Sequence, residues 1–380
     1  MLDFIFRNPT EILFGKGMIA KLDARVPKGA KTLLLYGGGS IKRNGVYEQV
    51  RSALGKRLVV EFGGIEPNPL YETCMKAVER VRQEDVRFIL AVGGGSALDA
   101  AKFIAAAAVY KGTDPWDILR SCGSKVESAL PLGTVLTLPA TGSESNMGAV
   151  ISRAATREKL PFMSRHVFPQ FSVLDPQATF SLPARQVRNG IVDTFVHVTE
   201  QYVTYPAAAP LQDRLAESIL QTLLEVGPKT LEKPDDYDAR ASLMWCATLG
   251  LNTLIGCGVP QDWATHMIGH ELTAFYGLDH AQSLAVVLPG LWRRTLESKR
   301  AKLEQYGRRV FGVADAETAI QRTEDFFRSI GVATRLKDYG VDAQEAAGKL
   351  RSRFVERGMK VGENGDIDAG AVAEIIKERA

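Results

Sequence analysis

Twice in its N-terminal part, the chain runs a short unbroken apolar stretch into Gly-Gly-Gly-Ser and then into a helical pattern. Residues 33–36 lead into Gly37-Gly38-Gly39-Ser40, and residues 88–92 into Gly93-Gly94-Gly95-Ser96. A run with no polar alternation is buried on both faces, as in a parallel sheet covered by helices on either side. Residues 58–62 read as another such strand, and Met75, Val78 and Val81 recur at helical spacing after the turn Glu66-Pro67-Asn68-Pro69. The rhythm of strand and helix predicts an α/β domain with a parallel sheet, which further strand-like runs at 134–138, 149–152 and 171–174 extend to residue 182. Beyond Pro183 helical periodicity dominates, broken by cap-like pairs such as Gly227-Pro228, so 183–380 is expected to be an all-α domain. The charged stretch 229–240 reads as a solvated loop leading into a helix.

A length of 380 residues accommodates two such domains. Lys and Arg total 47 against 44 Asp and Glu, a scattered net charge of +3 that argues against nucleic acid as a main partner. Apolar stretches fall short of the roughly 18 residues a membrane helix requires. Asp3 and Arg7 interrupt the beginning of the chain where an export leader would be apolar. Cys74, Cys122, Cys246 and Cys257 lie far apart with no paired spacing, as free thiols in a reducing cytoplasm would.

The glycine turns are the first chemical signal. A helix N-terminus carries unpaired N–H groups and partial positive charge, and glycine lets a phosphate approach the backbone. Neither turn has the spaced Gly-x-Gly-x-x-Gly form, and each alone is also an ordinary strand-to-helix junction. Two of them at carboxyl ends of parallel strands favour a dinucleotide, because ligands of such sheets bind there. The polar cluster from Thr137 through Thr141 to Asn146 follows another strand. Asp99, in the first turn of the helix after the second glycine turn, gains from the helix dipole with or without a ligand. Lys159 reads from its spacing as a solvated charge or as a phosphate contact.

Histidine is the second signal. Of five, His197, His266, His270 and His280 fall in the helical half, and only His166 lies outside it. Asp193 and His197 are four residues apart, as are His266 and His270, so each pair shares one helical face. The segment 263–276 reads as a helix stopped by Gly277, with His280 presented from the following turn. A carboxylate and several imidazoles from two helices and a turn suit a divalent metal.

These residues resemble the iron-containing (group III) alcohol dehydrogenases over nearly the whole chain. The matches are Glu66-Pro67-Asn68-Pro69; Gly93 to Ser96 with Asp99 and Lys102; Thr141-Gly142-Ser143-Glu144; and the series Asp175, Pro176, Leu182, Pro183, Gly190, Asp193, His197, Glu200. Tyr36 to Ser40 and His266 to Leu272 are most similar to the NADP-dependent butanol dehydrogenase and aldehyde reductase branch.

The resemblance implies an N-terminal dinucleotide-binding domain over 1–182, a helical metal-binding domain over 183–380, and a site in the cleft between them. It further implies that Asp193, His197, His266 and His280 bind one divalent metal, iron or zinc, with His270 beside substrate and nicotinamide. Gly94, Gly95 and Ser96 would meet the pyrophosphate of NADP(H). Gly37, Gly38, Gly39 and Ser40, with Asn68, Asp99, Thr137, Thr141 and Lys159, would complete the cofactor site. The substrate would be a short-chain aldehyde or primary alcohol, and the assembly a homodimer. A dehydroquinate-synthase-like lyase and a nucleotide sensor with a structural metal are the alternatives. The first needs Lys and Arg groups for a phosphorylated acid, which the segments around Asp193, His266 and His280 lack.

Overall fold

The computed structural model describes all 380 residues. Its strands are β1 (Glu11–Phe14), β2 (Thr32–Tyr36), β3 (Val59–Phe62), β4 (Phe88–Gly94), β5 (Leu132–Leu138), β6 (Gly148–Arg153), β7 (Glu158–Met163) and β8 (Phe171–Leu174). The helices of the first half are α1 (Leu22–Arg25), α2 (Ser40–Arg43), α3 (Val46–Leu54), α4 (Tyr71–Gln83), α5 (Gly95–Ala108) and α6 (Asp117–Arg120). The second half adds α7 (Ala184–Tyr202), α8 (Pro210–Glu232), α9 (Tyr237–Gly250), α10 (Ala264–Tyr276), α11 (His280–Arg294), α12 (Leu296–Tyr306), α13 (Ala316–Ser329), α14 (Ala343–Glu356) and α15 (Ala369–Glu378). No helix is long and apolar enough to cross a membrane.

Six strands form one parallel sheet in the order β1-β8-β5-β4-β2-β3. The expected apolar strands form its centre, and every residue of β2 and β8 is buried. Separate apolar clusters serve the two faces. Leu33, Leu35, Ile89 and Ala91 pack with α4 and α5, whereas Leu34, Phe88, Leu90 and Val92 pack with Val46, Val50 and Leu54 of α3. The run at 149–152 leaves the sheet: β6 pairs antiparallel with β7 as a separate ribbon. Its pattern of alternating buried and half-buried residues fits a ribbon with one covered face, unlike the uniformly buried central strands.

Two compact units emerge. One comprises Arg7–Leu182 with Pro234–Thr248; the other comprises Met1–Phe6, Pro183–Lys233 and Leu249–Ala380. The segment Pro234–Thr248 belongs with the sheet because Met244 is buried in its core and Thr248 Oγ1 donates to the buried Glu144 carboxylate at 2.6 Å. The helical unit has no named strand, only an isolated bridge between Val361 and Ile367.

Two local expectations are corrected here. Gly227-Pro228 does not cap a helix but lies within α8. There Gly227 packs against Ile191, where a Cβ would stand 3.3 Å away, and Pro228 follows inside the helix despite its local tendency to end one. The solvated loop expected at 229–240 shrinks to the few residues between α8 and α9, and Arg240 is buried with Nε donating to the Pro234 carbonyl at 2.9 Å.

Candidate active site

Within the sheet unit, the proposed cofactor residues sit at or beyond the carboxyl ends of β2, β3, β4 and β5, in α5, and on β7. Gly39 has φ +85°, a left-handed conformation that glycine adopts without strain, and precedes Ser40 at the start of α2. The second turn requires glycine for a different reason. A Cβ at Gly94 would stand 2.9 Å from that of Leu138, and one at Gly95 would stand 2.5 Å from Thr141 Cγ2. The β4–α5 junction is therefore closed directly onto the end of β5, with Gly94 against Leu138 and Gly95 against Thr141.

Asn68, Ser96 and Lys159 also come together. The Asn68 backbone N–H donates to Ser96 Oγ at 3.3 Å, and Lys159 Nζ donates to Asn68 Oδ1 at 2.8 Å. Lys159 is buried on β7, so the reading of it as a solvated charge fails; the ribbon, invisible to helical spacing, folds it inward. Asp99 lies beyond the first turn of α5, where the helix dipole has faded. Its carboxylate instead accepts from Ser143 Oγ at 2.6 Å and from the Val150 N–H at 2.9 Å, and burial raises its pKa. Thr137 is buried at the end of β5. Lys102 is wholly buried and donates to Asn146 Oδ1 at 2.8 Å and the Gly148 carbonyl at 2.7 Å, with burial lowering its pKa to about 8.

One residue near the first turn escaped sequence reading. Glu61 on β3 accepts from Tyr36 at 3.2 Å, from Tyr47 at 2.5 Å, and pairs with Lys42 at 3.4 Å. The Lys42 charge is thus engaged across the sheet edge, while exposed Arg43 keeps no such acid. The parallel register sets this meeting, since Leu34 pairs with Glu61, and nothing in the local sequence signals it.

In the helical unit, α7 supplies Asp193 and His197 from one face, α10 supplies His266 and His270, and His280 is the first residue of α11. The Nε2 atoms of His280, His197 and His266 lie 3.5, 3.7 and 3.8 Å from the same oxygen, Asp193 Oδ1. These separations are too long for hydrogen bonds. They lie close to the edge of about 3.3–3.4 Å that a tetrahedron of ligands around zinc requires. Ligand atoms of Asp193, His266 and His280 all fall within 4.8 Å of one another, and the ring of His197 stacks on that of His266 at 4.6 Å. His266 Nε2 is buried without a hydrogen-bond partner. A borderline divalent cation fits this set of one carboxylate and three imidazoles. His270 is buried beside it, its ring 5.3 Å from that of His280, outside the three-residue group.

Local devices aim these side chains. Gly277, at φ +69°, ends α10, and Asp279 opens α11 with a capping box. Arg185 donates twice to the Asp279 carboxylate, at 2.6 and 2.7 Å, and Asn189 donates at 2.8 Å, tying the start of α7 to the start of α11. Glu200, on the same face of α7 as Asp193 and His197, contacts His266 Nδ1. Burial alone would depress the His266 pKa, but the Glu200 and Asp193 carboxylates hold it up at about 9, while burial raises that of Glu200. His166 lies in the other unit, on a short turn after β7.

Comparison with known proteins covers the whole chain. Residues 9–176 match the family profile described as iron-containing alcohol dehydrogenase, and residues 188–378 match the C-terminal profile of the Fe-containing alcohol dehydrogenase family. The NADPH-dependent aldehyde reductase YqhD of Escherichia coli is 57% identical over 97% of each chain. The NADH-dependent butanol dehydrogenase B of Clostridium acetobutylicum is 40% identical over the full length of both. The crystal structure of E. coli YqhD superposes with a TM-score of 0.98, covering 100% of this chain and 99% of the other at 54% identity.

Proposed function

The chain belongs to the iron-containing alcohol dehydrogenase family, and we propose on that premise that it is a metal-dependent, NADP(H)-linked aldehyde reductase. Its substrates are short-chain aldehydes and, in reverse, primary alcohols. The observation that carries this is the convergence of three imidazole Nε2 atoms on one Asp193 oxygen at 3.5–3.8 Å.

Asp193, His197, His266 and His280 hold the metal, iron or zinc. When bound, it supplies Lewis-acid polarisation of the substrate oxygen. Asp193 offsets one unit of its charge, and the neutral imidazoles leave the centre net positive, as a developing alkoxide requires. NADPH supplies the hydride. The balance is aldehyde, NADPH and one proton giving alcohol and NADP+. His270, buried beside the ligands but off them, provides an imidazole for that proton.

Gly94, Gly95 and Ser96 receive the pyrophosphate, with Asn68, Thr137, Thr141 and Lys159 around it. Asp99 supports this wall by holding Ser143 and the Val150 N–H of β6. Gly37, Gly38, Gly39 and Ser40 admit the 2′-phosphate, since this turn carries no acid and Arg43 is close in sequence. A reductase that uses NADPH is supported by the closer relationship to a named NADPH enzyme than to a named NADH enzyme.

We also place the protein in the cytoplasm as a homodimer. Four free cysteines suit a reducing compartment. Met1, Leu2, Phe4, Ile5 and Phe6 are exposed apolar residues that a second copy would cover. Sedimentation of the purified chain tests the dimer. Butanal and NADPH, followed by the absorbance of the reduced nicotinamide alongside metal analysis, test the activity. Absence of turnover in metal-loaded protein would refute it.

A further inference from the structure

Glu200 divides its two carboxylate oxygens between the start of α10 and a side chain that α10 carries. Oε1 accepts the Thr265 backbone N–H at 2.6 Å, and Oε2 meets His266 Nδ1. Its backbone carbonyl accepts the Asp262 N–H at 2.8 Å. Asp262 in turn accepts the Ala264 N–H at 3.1 Å and pairs at 2.9 Å with buried Lys299, which Glu363 grips at 2.6 Å. Two carboxylates thus take N–H groups that the first turn of α10 would otherwise leave unpaired. Trp263, in the left-handed conformation at φ 61°, turns the chain into that helix. His266, its third residue, is therefore fixed from both backbone and ring.

We propose that Glu200 is the positioning residue of the metal centre, acting through His266. By accepting the Nδ1 proton, it fixes the tautomer whose Nε2 lone pair faces Asp193, and it makes that nitrogen a stronger donor. By holding the Thr265 N–H as well, it gives the ring one orientation relative to α10. It also brings a second negative charge close to the cation without occupying a coordination position. The inference rests on the metal reading above.

The test uses the full-length chain and Zn2+ in chelator competition. Glu200→Gln keeps the shape and removes the charge; it weakens Zn2+ binding about 10- to 100-fold, with circular dichroism unchanged. Because the effect runs through His266, it shrinks to less than about twofold in a His266→Ala background and persists in full in His280→Ala, a non-additivity characteristic of contacting groups. Substitution with Co2+ gives an altered absorption band in Glu200→Gln. If Glu200→Gln fails to fold, Glu200→Asp, which keeps the charge but not the reach, enters the same cycle. Wild-type affinity in the Glu200 variant, or an equal loss in the His266→Ala background, overturns the positioning role alone. Unchanged affinity in both Asp193→Asn and His266→Ala overturns the metal site, and this inference with it.

Discussion

Single atoms decide the chemistry at the residue scale. Asp193 Oδ1 is the point on which three imidazoles converge, so removing any one leaves an incomplete set. His197→Ala is expected to lose bound metal and turnover together, whereas His270→Ala keeps metal and loses turnover. Elemental analysis and a butanal assay on both variants check this, and a His197 variant with a full equivalent of metal would refute the ligand set. Gly39 is a second single-atom decision. No atom stands within 4 Å of a Cβ placed there, but φ is +85°, a region where aspartate and asparagine are the best-tolerated alternatives. Gly39→Asp should therefore fold and lower the preference for NADPH over NADH at least tenfold, a carboxylate repelling the 2′-phosphate. Gly39→Asn separates charge from backbone strain, and kcat/KM for both cofactors is the measurement. An aspartate variant as selective as wild type would remove this turn from cofactor recognition.

At the scale of elements, helix ends and buried ion pairs place the side chains. Asp279 caps α11 and receives Arg185 and Asn189 from α7, so it sets where His280 begins. Asp279→Ala should cost about 1–2 kcal/mol and weaken metal binding, with Asp279→Asn recovering the cap but not the ion pair. Urea unfolding and chelator competition read the two effects separately; unchanged metal affinity in the alanine variant would confine Asp279 to stability. Glu324 joins α11, α13 and the residue after α15 through Arg293, Arg328 and Arg379, with Arg379 Nη2 at 2.5 Å and fully buried. Burial would raise its pKa, but the arginines prevail and hold it at about 2, below the usual 4.5. A carboxylate depressed on folding stabilises above its unfolded pKa. The contribution, on the order of 3 kcal/mol, is full above about pH 4.5, shrinks as the pH falls and is gone below about pH 2. Glu324→Gln should be strongly destabilised at pH 7, by roughly 3–5 kcal/mol, and should lose less stability than wild type on acidification through that window. Parallel pH dependences would show that Glu324 is not the group responsible.

For the whole molecule, metal binding and folding are linked. A ligand that binds only the native state stabilises it by RT ln(1 + [L]/Kd), about 4 kcal/mol at a thousandfold excess over Kd. Chelation should lower the melting temperature by several degrees, and Zn2+ or Fe2+ should restore it. A melting temperature indifferent to chelator in protein shown by analysis to lose its metal would mean that the four proposed ligands are held by α7, α10 and α11 without help. The full calorimetric trace of this chain of two units is the observable.

The sequence alone determined the central strands, because uniformly apolar runs ending in glycine have one stable use, in a parallel sheet covered on both sides. It also determined the Asp193–His197 and His266–His270 pairs, because a four-residue spacing on one helical face is local, and the family, through motifs spread along the chain. Glu200 entered only as part of the family motif, with no role assigned, because spacing says nothing of the His266 ring it meets. Tertiary structure decided what depends on segments distant in sequence. Lys159 is buried because β6 and β7 pair with each other instead of joining the sheet; Lys42 is engaged because register places Glu61 beside it. Pro228 lies inside α8 although its local tendency is to end a helix. The convergence of Asp193, His266 and His280, separated by 73 and 14 residues, follows from helix packing and the Asp279 clamp, and no local pattern encodes a distance between side chains.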